Sequence, residues 1–351
     1  MPKYGTFAAE YTTMQQKPLT TRERILQSRN FKDGAFQNLA PTPMKSEDIS
    51  YFGMLKQALR RPGNVRPPKT LPSVKAPLRA VAGYKPVITW FGHSSYLIQI
   101  NGLNILVDPV FSGNASPMPF TVKAFPGSNG YSAADMPSID ILIVTHNHYD
   151  HLDKKTITAL LPSTKAVYTA LGVGQDLMAC GSHADGKITE MDWWDTIHLS
   201  DELSLTATPA RHFSGRGLKR GGSLWTSFVF HLYGYTLFLG GDSGYGDHFK
   251  EIGKVYGPFD LAILECGQYD DAWPYIHMKP EEVVQAAMDL DAKVLMPVHW
   301  AKFALANHPW DEPPARVTAA AATEGLAVTT PMIGEQVIVG ESYPHLQWWH
   351  L

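Results

Sequence analysis

The nine residues Thr145 to Asp153, THNHYDHLD, hold three histidines and two aspartates, directly after the apolar run IDILIV at 139–144. His146 and His148 are two apart, so on an extended segment they project to one side. Asp150 and His151 come after the strand should have ended, where a loop can curl them toward a neighbouring point. Four ligand-type side chains from one strand end would overcrowd a single catalytic ion, which takes four ligands and keeps a position for water, but they can supply two. Further ligands are then expected at other strand ends.

They follow in order. TPARHF places His212 just past a strand, LFLGGDSGY places Asp242 past another, and LMPVHW places His299 past a third. Each is an apolar strand followed by a ligand-type residue at its C-terminal end, where open α/β sheets carry their sites. Gly240, Gly241 and Gly244 around Asp242 suit a close backbone approach beside an ion. Two ions would lower the pKa of a bridging water, supply hydroxide as nucleophile and neutralise an anionic oxygen in the transition state. No Ser-His-Asp arrangement is then required, and GHSSY at 92–96 is not read as a nucleophile motif. Asp108, in ILVDP, is either an acceptor for a ligating imidazole's other N–H or a turn residue. His93 reads as a packed strand histidine near the site. His183, His198, His231, His248, His308, His345 and His350 have no comparable context.

Composition bounds the rest. The chain has 351 residues, 44% of them hydrophobic, and a formal charge of −3, enough for one large core or two modest ones and giving no general attraction to nucleic acid. Only Cys180 and Cys266 are present, which argues against a disulfide framework and for a reducing compartment. The N-terminus lacks the apolar run of a signal peptide, and no stretch of about 20 apolar residues could span a bilayer. A cytoplasmic chain is expected, with room for peripheral contact with the inner membrane.

Residues 1–85 read as an N-terminal extension, rich in proline, packed on a catalytic domain over 86–351. Residues 60–80, RRPGNVRPPKTLPSVKAPLRA, should be an extended arm, since prolines neither donate to a sheet nor continue a helix. SEDISYFGMLKQALRR (46–61) predicts a short amphipathic helix capped by Ser46, with Phe52, Leu55 and Leu59 facing the core or else a membrane. Beyond residue 86, short strands alternate with turns and helices. VITWFGHSSYLIQI and LNILVDP flank Asn101-Gly102, a pair suited to a type I′ hairpin turn. IDILIV is too apolar for a wet face and should be a central strand. Helices are expected at LDKKTITALL and at KPEEVVQAAMDLDA, the latter with Pro280 in its first turn. Strands preceding helices, with hairpins between, indicate a layered α/β sandwich.

The order His-x-His-x-Asp-His, then His, Asp and His, resembles the metallo-β-lactamase fold superfamily over residues 86–310. That resemblance implies a four-layer αββα sandwich holding two zinc ions, with manganese or iron also accommodated. It implies that His146, His148 and His212 hold the first ion, that Asp150, His151 and His299 hold the second, and that Asp242 bridges them. RNFKDGAFQN (29–38), LVDPVFSGNASP (106–117), MDWWDT (191–196), HMKPEEVVQ (277–285) and VHWAKFALANH (298–308) are similar to the N-acylphosphatidylethanolamine-hydrolysing phospholipase D family. What this implies is a zinc-dependent phosphodiester hydrolase of lipid metabolism, releasing phosphatidic acid and an N-acylethanolamine, and a homodimer. Asp150 and His277 are then the candidate catalytic residues, with His277 near the phosphate and Tyr149 lining the substrate cleft. Met118, Phe120 and Phe125, in the loop 112–130, would either admit acyl chains or fold back on the domain. The competing expectations are a lactonase resembling the ascorbate 6-phosphate lactonases and a non-catalytic, membrane-associated metal-binding protein.

Overall fold

The computed structural model describes residues 19–46, 61–75, 77–78, 83–118, 120–217 and 220–351. The helix expected over 46–61 falls almost wholly outside them. Among the described residues the extension opens with helix α1 (Thr21–Gln27), whose Thr20 cap bonds Glu23 reciprocally, and continues into the two-residue strands β1 (Phe31–Lys32) and β2 (Ala35–Phe36).

The first sheet is laid down by β3 (Val87–Trp90), β4 (Tyr96–Ile100), β5 (Leu103–Val107), β6 (Ile139–Val144), β7 (Thr164–Ala170) and β8 (Ile188–Met191). β3 to β5 form an antiparallel meander and β5 to β8 run parallel. Asn101 and Gly102 both have positive φ, 48° and 77°, as the expected hairpin turn demands. β6 pairs with β5 on one side and β7 on the other, so IDILIV is central. Helices α2 (Lys154–Leu160) and α3 (Gly174–Met178) provide the crossovers from β6 to β7 and from β7 to β8.

The second sheet repeats the plan. β9 (Thr196–Ser200), β10 (Leu203–Thr208), β11 (Ser227–Leu232) and β12 (Tyr235–Leu239) are antiparallel. β13 (Leu261–Glu265), β14 (Val294–Val298) and β15 (Ala327–Val328) continue in parallel, connected by α4 (His248–Tyr256), α5 (Pro280–Asp289) and α6 (Glu312–Glu324). β16 (Gln336–Ile338) returns to the first sheet, antiparallel to β3.

Period-two alternation sorts the layers. On the first sheet Ile98, Ile105, Val107, Ile141 and Ile143 join the core shared with the second sheet. Leu97, Leu106, Leu142 and Val144 face the other way, into a core with Ile157, Leu160 and Leu177 of α2 and α3. Phe249, Val283, Val284 and Val317 cover the second sheet from α4, α5 and α6. The result is the expected four-layer αββα sandwich, each buried Leu or Ile contributing ~1.5–3 kcal/mol.

The extension lies against this frame. Thr21 bonds Glu190 at 2.6 Å, Asn30 bonds Asp192 at 3.1 Å, and Arg24 pairs with Asp195 at 3.0 Å, which explains why the segments RNFKDGAFQN and MDWWDT belong together. In the loop 112–130, Phe125 folds back, 3% exposed, and its N–H donates to the Lys302 carbonyl, whereas Met118 and Phe120 are 54% and 71% exposed. Among the described residues, no helix is long and apolar enough to cross a membrane.

Candidate metal centre

The ends of β3, β5, β6, β10, β12, β13 and β14 deliver their following residues to one point. There the seven residues singled out as ligands converge, and so does His277. His146 Nε2 lies 2.9 Å and His212 Nε2 3.2 Å from His148 Nδ1, and the same two Nε2 atoms lie 3.7 and 3.6 Å from Asp242 Oδ2. Beside this cluster, His151 Nε2 lies 3.7 Å and His299 Nε2 3.9 Å from Asp150 Oδ2, while Asp242 Oδ1 is 3.1 Å from His151 Nε2. Asp242 therefore offers one carboxylate oxygen to each cluster.

Hydrogen bonds on the far side of the His146, His151 and His212 rings decide which nitrogen faces inward. Thr145 Oγ1 donates to Asp108 Oδ2 at 2.7 Å and so has a lone pair for His146 Nδ1–H at 3.1 Å. His151 Nδ1 donates to the same carboxylate at 2.7 Å. His212 Nδ1 donates to the Ile276 carbonyl at 2.8 Å, and His299 Nδ1 lies 2.8 Å from Ser94 Oγ. His146, His151 and His212 then present Nε2 to the centre, whereas His148 presents Nδ1, and His299 Nδ1 lies 3.1 Å from Asp242 Oδ1 as well as beside Ser94. Asp108 acts here as the imidazole acceptor, at a positive φ of 40° just past β5.

Burial pushes the pKa values of His146, His212 and His299 well below the ordinary histidine range and that of His148 to about 4. His151 is the exception: burial opposes its charge, but Asp242, Asp108 and Asp150 together hold its pKa well above normal. Burial would raise Asp150 and Asp242, but the surrounding histidines together outweigh it and keep both ionised, His151 and His93 at Asp150 and His151, His299 and His146 at Asp242. The donor set fits metal cations. Nitrogens of neutral imidazoles face one another at 2.9 Å, and the buried His151 Nε2, His299 Nε2 and Asp242 Oδ1 have no hydrogen-bond partner.

Other residues depart from the reading of the sequence or were missed by it. His93 sits in a turn past β3 rather than within the strand, at φ 54°, fully buried, with Nε2 2.9 Å from Asp150 Oδ2. His277 packs its ring 5.1 Å from that of His212 and stacks at 5.3 Å on His299. Behind it stands Glu265, wholly buried, 3.5 Å from His277 Nδ1 and accepting the Met278 N–H at 2.7 Å. Burial pushes the Glu265 carboxyl up to about 7 against the pull of His277. For His277 burial works downward, and Glu265, with Asp242 and Asp150, more than offsets it. Glu265 ends the strand LAILE and could have been found by the same strand-end pattern as the ligands. Ser94 and Asn38 carried no such signal.

Tyr149 turns outward. Its hydroxyl donates to the Arg216 carbonyl at 2.8 Å beneath the Arg216 guanidinium, and it lines a cleft of about 450 Å³ with Ser112, Pro117 and Lys155. A second cleft of about 450 Å³ opens beside His212, between Phe213, Arg220 and Trp225 on one wall and Phe36, Leu39 and Met44 of the extension on the other. Gly240, Gly241 and Gly244 serve approach to main chain: an added Cβ would meet the carbonyls of Ile263, Thr226 and Tyr275 respectively.

Comparison with known proteins places these features. Residues 103–300 match the model of the beta-lactamase superfamily domain. An uncharacterised protein of Mycobacterium tuberculosis is 38% identical over 330 residues, covering 93% of this chain and 88% of that protein. An N-acyl-phosphatidylethanolamine-hydrolyzing phospholipase D of Caenorhabditis elegans is 32% identical over 232 residues, 61% of this chain and 64% of its own length. In fold, the chain is similar to a possible metal-dependent hydrolase of Veillonella parvula, with TM-score 0.57, 16% identity, and coverage of 73% of this chain and 100% of that one.

Proposed function

Since the chain belongs to the metallo-β-lactamase superfamily of metal-dependent hydrolases, we propose that it is a binuclear phosphodiesterase of the phospholipase D type acting on N-acylphosphatidylethanolamine-like substrates. The observation that carries this reading is Asp242, whose two oxygens face two abutting donor sets. His146, His148 and His212 would hold one ion, Asp150, His151 and His299 the other, and Asp242 would bridge them. Zinc suits these nitrogen and oxygen donors, and manganese or iron would also be accepted. Two ions held there would supply a hydroxide nucleophile at neutral pH and positive charge to offset the negative charge developing on the phosphoryl oxygens.

The chain's own residues do the rest. Asp108 and Thr145 hold the His146 and His151 rings in register. His93, through its bond to Asp150 Oδ2, fixes the carboxylate that faces His299. His277, with Glu265 keeping it protonated, donates a proton to the departing alkoxide or a hydrogen bond to a non-bridging phosphate oxygen. Lipid substrates would bring peripheral membrane contact with them, for which the exposed Met118 and Phe120 supply apolar surface.

A mass-spectrometric assay on N-acylphosphatidylethanolamine in mixed micelles tests this. Zinc-loaded protein should release phosphatidic acid and N-acylethanolamine, and a chelated control should not. No release from protein shown to carry two ions would discard the lipid assignment.

A further inference from the structure

The bonds around Asn38 are unlike the other contacts of the extension, because they end on the backbone of a residue in the metal centre. Asn38 Nδ2 donates to the His212 carbonyl at 2.8 Å, and Asn38 Oδ1 accepts the His212 N–H at 3.1 Å. One carboxamide thus reads both main-chain groups of the same residue, as a neighbouring strand would. Trp225 Nε1 lies 3.2 Å from Oδ1 and 2.9 Å from the Ala210 carbonyl, holding the amide in this orientation.

His212 needs such a hold. It lies four residues past the end of β10, where the ladder to β11 no longer fixes the backbone. Its ring is oriented at the far end by the bond from Nδ1 to the Ile276 carbonyl, the residue before His277. With both ends pinned, Nε2 reaches the point it shares with His148 and Asp242.

The neighbouring bonds keep Asn38 in place. The Phe36 N–H donates to the Gly221 carbonyl at 2.8 Å, and the Arg211 guanidinium binds Pro41 O at 2.8 Å and Thr42 Oγ1 at 3.0 Å.

We propose that Asn38 is a positioning residue for the metal centre, so that the extension completes the site by clamping the backbone of His212. This rests on the reading of His212 as a metal ligand. Loss of partners that orient a ligand typically weakens metal affinity or activity by 10- to 100-fold, and that is the effect expected of Asn38→Ala. Thr42→Ala, which releases a neighbouring contact without touching His212, should leave affinity near that of the unaltered chain.

The test is titration of metal-free full-length protein with cobalt(II), read by visible absorption and by bound cobalt per chain, with melting of the metal-free forms alongside. The proposal expects Asn38→Ala to bind one cobalt at least tenfold more weakly, with an altered absorption band, and Thr42→Ala to match the unaltered chain. Wild-type affinity and spectrum in Asn38→Ala overturns it, and so does an equal loss in Thr42→Ala, which would report docking of the arm in general. Should Asn38→Ala not fold, the near-isosteric Asn38→Asp decides: it keeps the acceptor for the His212 N–H but sets a carboxylate oxygen against the His212 carbonyl in place of the donor, and a wild-type titration there overturns the proposal. If the unaltered chain binds no cobalt, the metal reading itself fails, an outcome distinct from normal binding in both chains.

Discussion

Asp108 Oδ2 accepts the Nδ1–H of His151 at 2.7 Å and, through Thr145 Oγ1, governs His146 as well, so one carboxylate past β5 orients a ring in each half of the candidate centre. Its other oxygen accepts the Thr145 N–H at 2.9 Å, which ties it to the start of the metal loop. Asp108→Ala should therefore weaken both ions, each by roughly 10- to 100-fold. Zinc per chain after dialysis against a graded chelator checks this, and loss of one ion alone would show that Thr145 holds His146 unaided.

The Glu265–His277 pair gives a pH signature. Glu265 favours the protonated form of His277, so turnover dependent on that proton should fall on the alkaline side as His277 deprotonates. Glu265→Gln removes the carboxylate, lowers the His277 pKa, and should move the alkaline limb of the kcat profile to lower pH by roughly one unit or more. His277→Ala should lower turnover with zinc content intact. A superimposable pH profile for Glu265→Gln would leave Glu265 a purely structural acceptor for Met278.

Lys302 is 1% exposed, its Nζ donating to the Phe91 carbonyl at 3.0 Å, and burial pushes its pKa down to about 7. Folding therefore favours the neutral amine. This contribution is fully present above the unfolded lysine pKa near 10.4, declines as pH falls, and is gone below about 7. Between those limits unfolding free energy should fall with decreasing pH by at most about 1.4 kcal/mol per unit from this group. Denaturant titrations of metal-free protein at pH 7 and 9 should show that gap, and Lys302→Met should narrow it.

Gly244→Ala tests the close approach behind Asp242. The added Cβ would collide with the Tyr275 carbonyl, main chain that cannot swing aside, so a loss of about 1–3 kcal/mol in stability is expected. Displacement of Tyr275 would carry Ile276 and the His212 ring bond with it, so weaker zinc binding should accompany the lower melting temperature. A variant as stable as the unaltered chain would mean that this segment yields freely.

How far the sequence reached depends on the range of the interaction. Local patterning was enough for the alternation that sorts Ile105 from Leu106, the Asn101-Gly102 turn, the central strand IDILIV, and the loop that brings His146, His148, Asp150 and His151 together. Those signals lie within a few residues, because pleat and turn geometry repeat over two to four residues. The strand-end pattern extended this to His212, Asp242 and His299. Tertiary structure decided what depends on contacts between distant segments: that β16 closes onto β3, that His93 leaves its strand to meet Asp150, that Glu265 backs His277, and that Asn38 reaches a histidine 174 positions away. A hydrogen bond between such positions leaves no period in the chain, since its partners are set by how two sheets pack and not by either segment alone.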